Sequence, residues 1–227
     1  MSKSQRPSST HRPATQSRSL GHSPAPSSSG SKRKSAAYRQ RMGGEVSLTT
    51  SFGPPENWYE PRGHGRVKYI VQPAGEGYVH PVTAKEVKER LAQLPKEFTR
   101  SLEVVQFSQM TRKRRNFPCY GMQWGMTVYL YPIEASLVET YIAPPKPAQQ
   151  IEAKMFGGVW QREGNMWTLT WTPDALKDFY LNNVLIHEVG HLNDPRNSRS
   201  VDRERYANWF AIEYGYRASR GIVEKVG

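Results

Sequence analysis

Residues 172–191 read TPDALKDFYLNNVLIHEVGH, and the fold turns on whether this stretch is one helix. Thr172 can cap it, Pro173 suits the first helical position, and Asp174 favours the positive end of the helix dipole. The stretch NDPRNS follows. Pro195 disfavours helix at the residue before it, so the pattern predicts a helix over 173–192. On such a helix His187 and His191 lie on one face, about one turn apart. Two imidazoles so placed reach a single metal ion. Glu188 is rotated by about 100° from His187, beside the metal, where it can take a proton from a metal-bound water.

A catalytic zinc takes three protein ligands and keeps one open position. The next segment, SRSVDRERYANWFAIEYG (198–215), offers the third. It predicts a helix with Ser200 as N-cap, ending near Gly215. Glu204 and Asn208 share a face with the small residues Ala207 and Ala211, which allow a close helix–helix approach. Glu204 is then the third ligand, and Asn208 is placed to accept from a ligand histidine's second ring nitrogen. Asp202 is the competing ligand, about 160° around the helix from Glu204. Gly190 costs up to ~1 kcal/mol of helix propensity relative to Ala, which a close backbone approach would explain.

HEVGH followed by ERYANWFA resembles the ImmA/IrrE family of zinc peptidases and, more widely, the gluzincin-type zincins. The resemblance covers residues 172–216. It implies a minimal zincin-like domain of α+β class, with an active-site helix and a C-terminal helix bearing the glutamate ligand. It implies Zn2+ on His187, His191 and Glu204, and hydrolysis of peptide bonds by a metal-activated water with Glu188 as general base. A protein or peptide is the implied substrate. The alternative is a non-catalytic regulatory or nucleic-acid-binding protein that keeps the fold. Tyr180, Arg203 and Tyr206 are the candidates for a second oxyanion donor.

Upstream, the texture predicts a mixed or antiparallel sheet. EVSLTTSFG (45–53), RVKYIVQ (66–72), LEVVQF (102–107) and MQWGMTVYLYP (122–132) read as strands. TAKEVKERLAQL (83–94) reads as a helix with a Thr83–Glu86 capping box. YIAPPKPAQQ reads as a loop, and AKMFGGVWQ and NMWTLTWT as two strands joined at REG by a hairpin. An edge strand beside the active-site helix would hold the substrate, and 125–131 or 166–171 are the candidates. Trp124, Tyr129, Tyr131, Trp160, Trp167 and Trp171 are read as core or specificity pocket.

The net charge of +12 is unevenly placed: residues 1–44 hold nine basic side chains and no acidic one, while the remainder holds 23 basic and 20 acidic. The division is therefore a disordered, basic, Ser/Pro-rich tail (1–44) and a folded domain (45–227). The tail and the Arg112–Arg115 loop of TRKRRNF offer non-specific contact with nucleic acid. The lone cysteine, Cys119, excludes an internal disulfide. No apolar run approaches the ~18 residues of a membrane span, and no secretory signal is apparent. A cytoplasmic protein with no membrane contact is expected. His22, His64 and His80 have no ligand-like spacing.

Overall fold

The computed structural model describes Pro55 and residues 65–116 and 119–222. The expected tail, the strand at 45–53 and His64 lie outside the described residues. The described chain is α+β.

The central sheet joins β1 (Lys68–Val71), β3 (Val104–Phe107), β5 (Thr127–Leu130) and β4 (Gly121–Trp124), in that spatial order. β1–β3 and β3–β5 are parallel, and β4 returns antiparallel to β5. The mixed sheet is as expected, but the run 122–132 is not one strand. It breaks at Gly125, whose positive φ of 57° carries a tight turn, and the two halves pair as a hairpin. β5 is therefore internal, and β4 is the edge. A short β2 (Tyr78–Val79) pairs with β6 (Ile133–Glu134). The third sheet has the order β7 (Val138–Tyr141), β9 (Met166–Thr170), β8 (Val159–Glu163). Its β8–β9 hairpin is the one expected at REG, with Gly164 at a φ of 61° in the turn. Because β9 is internal, 166–171 is not an edge either.

Helix α1 (Ala84–Ala92) begins with the expected capping box. The Thr83 side chain accepts from the Glu86 backbone, and the Glu86 carboxylate accepts from the Thr83 N–H at 2.8 Å. A short α2 (Lys96–Thr99) follows, with Pro95 at its N-cap. Two segments read as loops are helical, and the second of these helices also takes in residues 153–155, which read as the start of a strand. TRKRRN forms α3 (Arg112–Asn116), and α4 (Pro147–Met155) takes Pro147 at its first position. The prolines around 144–147 read as loop punctuation, yet proline at a helix start sacrifices only a backbone N–H that has no partner there.

Thr172 caps α5 (Pro173–Phe179), accepting from the Ala175 N–H at 3.2 Å. A π-helical segment, Tyr180–Val184, carries the helix into α6 (Leu185–Leu192). The expected helix over 173–192 is thus present, with one wide turn inside it. The second helix, α7 (Ser200–Phe210), has Arg199 at its N-cap rather than Ser200. It does not stop at Gly215 but continues through a second π-helical segment, Ala211–Arg217. Gly215 serves packing instead: a Cβ there would overlap the carbonyl oxygen of Asn182 in the first π segment. The buried Arg90 of α1 ties the two π-helical segments together, donating to the Tyr214 carbonyl at 2.5 Å and to the Asn182 side-chain oxygen Oδ1 at 2.6 Å.

The main core lies between the central sheet and these helices. It gathers Val105, Val128 and Leu130 with Leu176, Leu185, Val189 and Phe210. A smaller cluster, Met122, Tyr129 and Tyr131, covers the sheet's other face. Arg114 of α3 lies over it, with its guanidinium 4.3 Å from the Tyr131 ring centroid.

Candidate metal centre

Helix α6 is buried along Leu185, Ile186 and Val189, which fixes its rotation and turns His187 and His191 to the opposite side. Helix α7 approaches it where side chains are smallest. A Cβ on Gly190 would stand 3.0 Å from the Ala207 Cα, so the glycine admits the neighbouring backbone as expected. That approach presents Glu204 to both imidazoles. His187 Nε2 lies 3.3 Å from Glu204 Oε2, and His191 Nε2 lies 3.4 Å from Glu204 Oε1. One ligand atom from each of the three residues falls within 4.8 Å of the others, so the cluster could hold a metal ion.

The competing ligand, Asp202, turns away to pair with Arg199 and Arg205. Asn208 lines the cavity but makes no hydrogen bond to either histidine, and the Nδ1 of His191 is buried without a partner. The expected contact from Asn208 to a ligand histidine is therefore not made: Asn208 sits on the exposed side of α7.

Electrostatics follow from this crowding. Burial by itself would raise the Glu204 pKa, but the hydrogen bonds and charges of both histidines hold it well below the usual carboxylate range. Burial opposes charge on His187; contact with Glu204 and the charges of Glu188 and Glu152 outweigh it and raise its pKa. Glu188 is 7% exposed, and burial pushes its carboxyl above the ordinary value against the pull of the two imidazoles. A carboxyl raised this way takes up a proton more readily than an ordinary one.

Edge strand β4 forms the opposite wall. A Cβ on Gly121 would sit 2.8 Å from Glu188 Oε1, so only glycine leaves that carboxylate its place. The Gln123 backbone hydrogen-bonds to Glu188. Tyr131 N–H donates to the Tyr120 carbonyl. By the alternation of an antiparallel ladder, the backbone groups of Gly121 and Gln123 therefore point away from β5. The cleft between β4 and the two helices is a cavity of ≈ 820 Å³.

Of the three candidate oxyanion donors, Tyr180 is excluded, because its hydroxyl is buried and donates to the Tyr131 carbonyl at 2.9 Å. Arg203 lines the cavity and donates to Gln123 Oε1 at 3.3 Å, whereas Tyr206 is not among the lining residues. The aromatics divide: Tyr129 and Tyr131 are core, Trp167 packs against the core, and Trp124, Trp160 and Trp171 line the cavity. In TRKRRNF, Arg114 is buried and donates to Cys119 Sγ at 3.1 Å and to Met122 Sδ at 3.3 Å. Arg112 and Arg115 are exposed. His80 makes a 2.9 Å contact with the Gln72 carbonyl, far from a ligand role.

Sequence reading missed Gly121, Gln123, Glu152 and Asn183, all of which line the cavity. Gly121 had a signal, a glycine opening an aromatic-rich strand, where a missing Cβ marks close approach. Gln123 and Glu152 lie in segments whose structure differs from the reading, whereas Asn183 lies on the expected helix, within the π-helical turn that leads into α6. Among the described residues no helix is long and apolar enough to cross a membrane. Comparison with protein families, with curated proteins and with solved structures returns no match.

Proposed function

We propose that the chain is a zinc-dependent peptidase of the zincin kind. The observation that carries this is the convergence of His187, His191 and Glu204 beside the buried Glu188, on the wall of a cavity that an edge strand borders. Two imidazoles and one carboxylate are a donor set that suits zinc and leaves a coordination position open. Zinc so held supplies Lewis acidity, which acidifies water and polarises a carbonyl.

The remaining work falls to the chain itself. A peptide laid along β4 extends the central sheet by one strand, pairing with those outward backbone groups of that edge that Glu188 does not engage. This holds a substrate carbonyl near the histidines without demanding a particular side chain. Glu188 takes the proton of the attacking water and returns it to the leaving amine. Burial favours the protonated carboxyl halfway through this cycle, and the Gln123 backbone keeps the carboxylate oriented. Arg203 is the donor best placed to meet negative charge that develops on the carbonyl oxygen.

Glu188→Gln separates this reading from a zincin-fold protein that only binds or regulates. The variant keeps the three ligands, so zinc content stays at the wild-type level. Cleavage of a proteome-derived peptide library falls by about 10²–10⁴-fold, the usual contribution of a general base. Cleavage that survives the substitution would remove Glu188 from the mechanism.

A further inference from the structure

The cavity extends past His187 into a recess that the hydrolytic reading does not use. Its back wall is one face of the β7–β9–β8 sheet. Trp160 stands opposite Leu169, which stands opposite Glu139 in turn, so these three project to the same side. Tyr141 and Trp171 lie two residues from Glu139 and Leu169 and share that face. Phe179 of α5 stacks on Trp171 at 4.9 Å, and Tyr141 packs against Trp160 at 4.8 Å. Tyr141, Trp160 and Trp171 thereby give this side of the cavity an aromatic lining.

Glu139 is 1% exposed and sits behind the rings. It accepts from Tyr120 Oη at 2.7 Å, Tyr141 Oη at 3.1 Å and Trp171 Nε1 at 3.2 Å. A tyrosine hydroxyl has a single proton, and both of these hydroxyls donate it to Glu139. At the mouth, Glu152 of α4 accepts from Asn183 Nδ2 at 2.6 Å, and its charge reaches His187. Among the described cavity-lining residues the one Lys or Arg is Arg203, which is engaged with Gln123 on β4. Aromatic rings and the Glu152 carboxylate on one side of the cavity together form a site for a cation on an apolar stem.

We propose that this recess binds the arginine or lysine side chain of a peptide substrate, making Glu152 a specificity-determining residue. The proposal rests on the peptidase reading for the word substrate, but the binding itself does not need turnover. Two measurements keep these apart. In the first, N-acetyl-arginine amide and N-acetyl-norleucine amide are titrated against the zinc-loaded, full-length Glu188→Gln protein, with tryptophan fluorescence as the readout. Arginine should bind about tenfold more tightly than norleucine, as cation–π contact plus a carboxylate allows, and Glu152→Gln should collapse that ratio toward unity. Equal or tighter binding of norleucine, or a ratio that survives Glu152→Gln, overturns the proposal. In the second, the wild-type cleavage profile should be enriched in Arg or Lys at one position next to the scissile bond. Cleavage without that enrichment overturns the recess as a selector and leaves the peptidase standing. Arginine-selective binding with no cleavage supports the recess and removes the peptidase.

Discussion

At the scale of single residues, the centre depends on side chains that are absent as much as on those present. Gly190 lets α7 come close enough for Glu204 to meet both histidines, and Gly121 leaves room for Glu188. The first was legible, because a glycine inside a histidine-bearing helix invites a packing explanation. The second was not, because its neighbour is Glu188, which lies 67 positions away in the numbering, and no local pattern records that. Gly121→Ala tests the arrangement. The added methyl would stand 2.8 Å from both Glu188 Oε1 and Val184 Cγ1. Overpacking of this kind costs ~1–3 kcal/mol, so the melting temperature should fall. Zinc content should stay near wild type while peptide cleavage drops, because the displaced group is Glu188 and not a ligand. Loss of zinc in parallel with activity would mean that β4 supports the ligands and not the base.

At the scale of elements, the helix over 173–192 was legible because cap, first-turn proline, acid and terminator all agreed. The π-helical turns inside it and inside the second helix were not. They meet through contacts distant in sequence, the Gly215 backbone against the Asn182 carbonyl and Arg90 donating to both segments, which no local pattern records. The hairpin of β4 and β5 was hidden in a similar way: Gly125 interrupts an aromatic-rich run that reads as continuous by composition. A contact between elements that can be tested by pH joins α1 to α5. Glu86 lies 2.7 Å from Lys177 Nζ. That ion pair, with the hydrogen bonds from Thr83, lowers the Glu86 carboxyl from 4.5 to about 2. Its folded value lies below its unfolded one, so its contribution to stability is complete above pH 4.5 and fades as pH falls toward 2. Glu86→Gln should therefore lower the denaturation midpoint at pH 7, with the gap from wild type closing below pH 4.5. Both side chains of the pair are partly exposed, so the effect should shrink in high salt. A gap that is constant with pH would assign the stability to the capping geometry alone.

At the scale of the whole molecule, the α+β class and the mixed sheet were legible, and so were the three clustered residues of the candidate centre. The layout that makes a cleft of them was not. It depends on β4 lying at the sheet edge, next to α6, and on a second sheet closing the far side with aromatic rings. Both follow from turns and a helix start that composition disguised. The two helices meet at small residues and a shared charge cluster, so a bound cation should tie them together. Anything that binds only the folded state stabilises it by mass action, about 2.7 kcal/mol at a hundredfold excess over Kd.

The zinc content of the purified full-length chain, by elemental analysis after dialysis against trace metal and beside Glu204→Gln, tests the centre most directly. One zinc per wild-type chain, reduced several-fold in the variant, is the result expected if α6 and α7 supply a common set of ligands. A wild-type chain that stays metal-free, or a variant that binds zinc equally well, would contradict it.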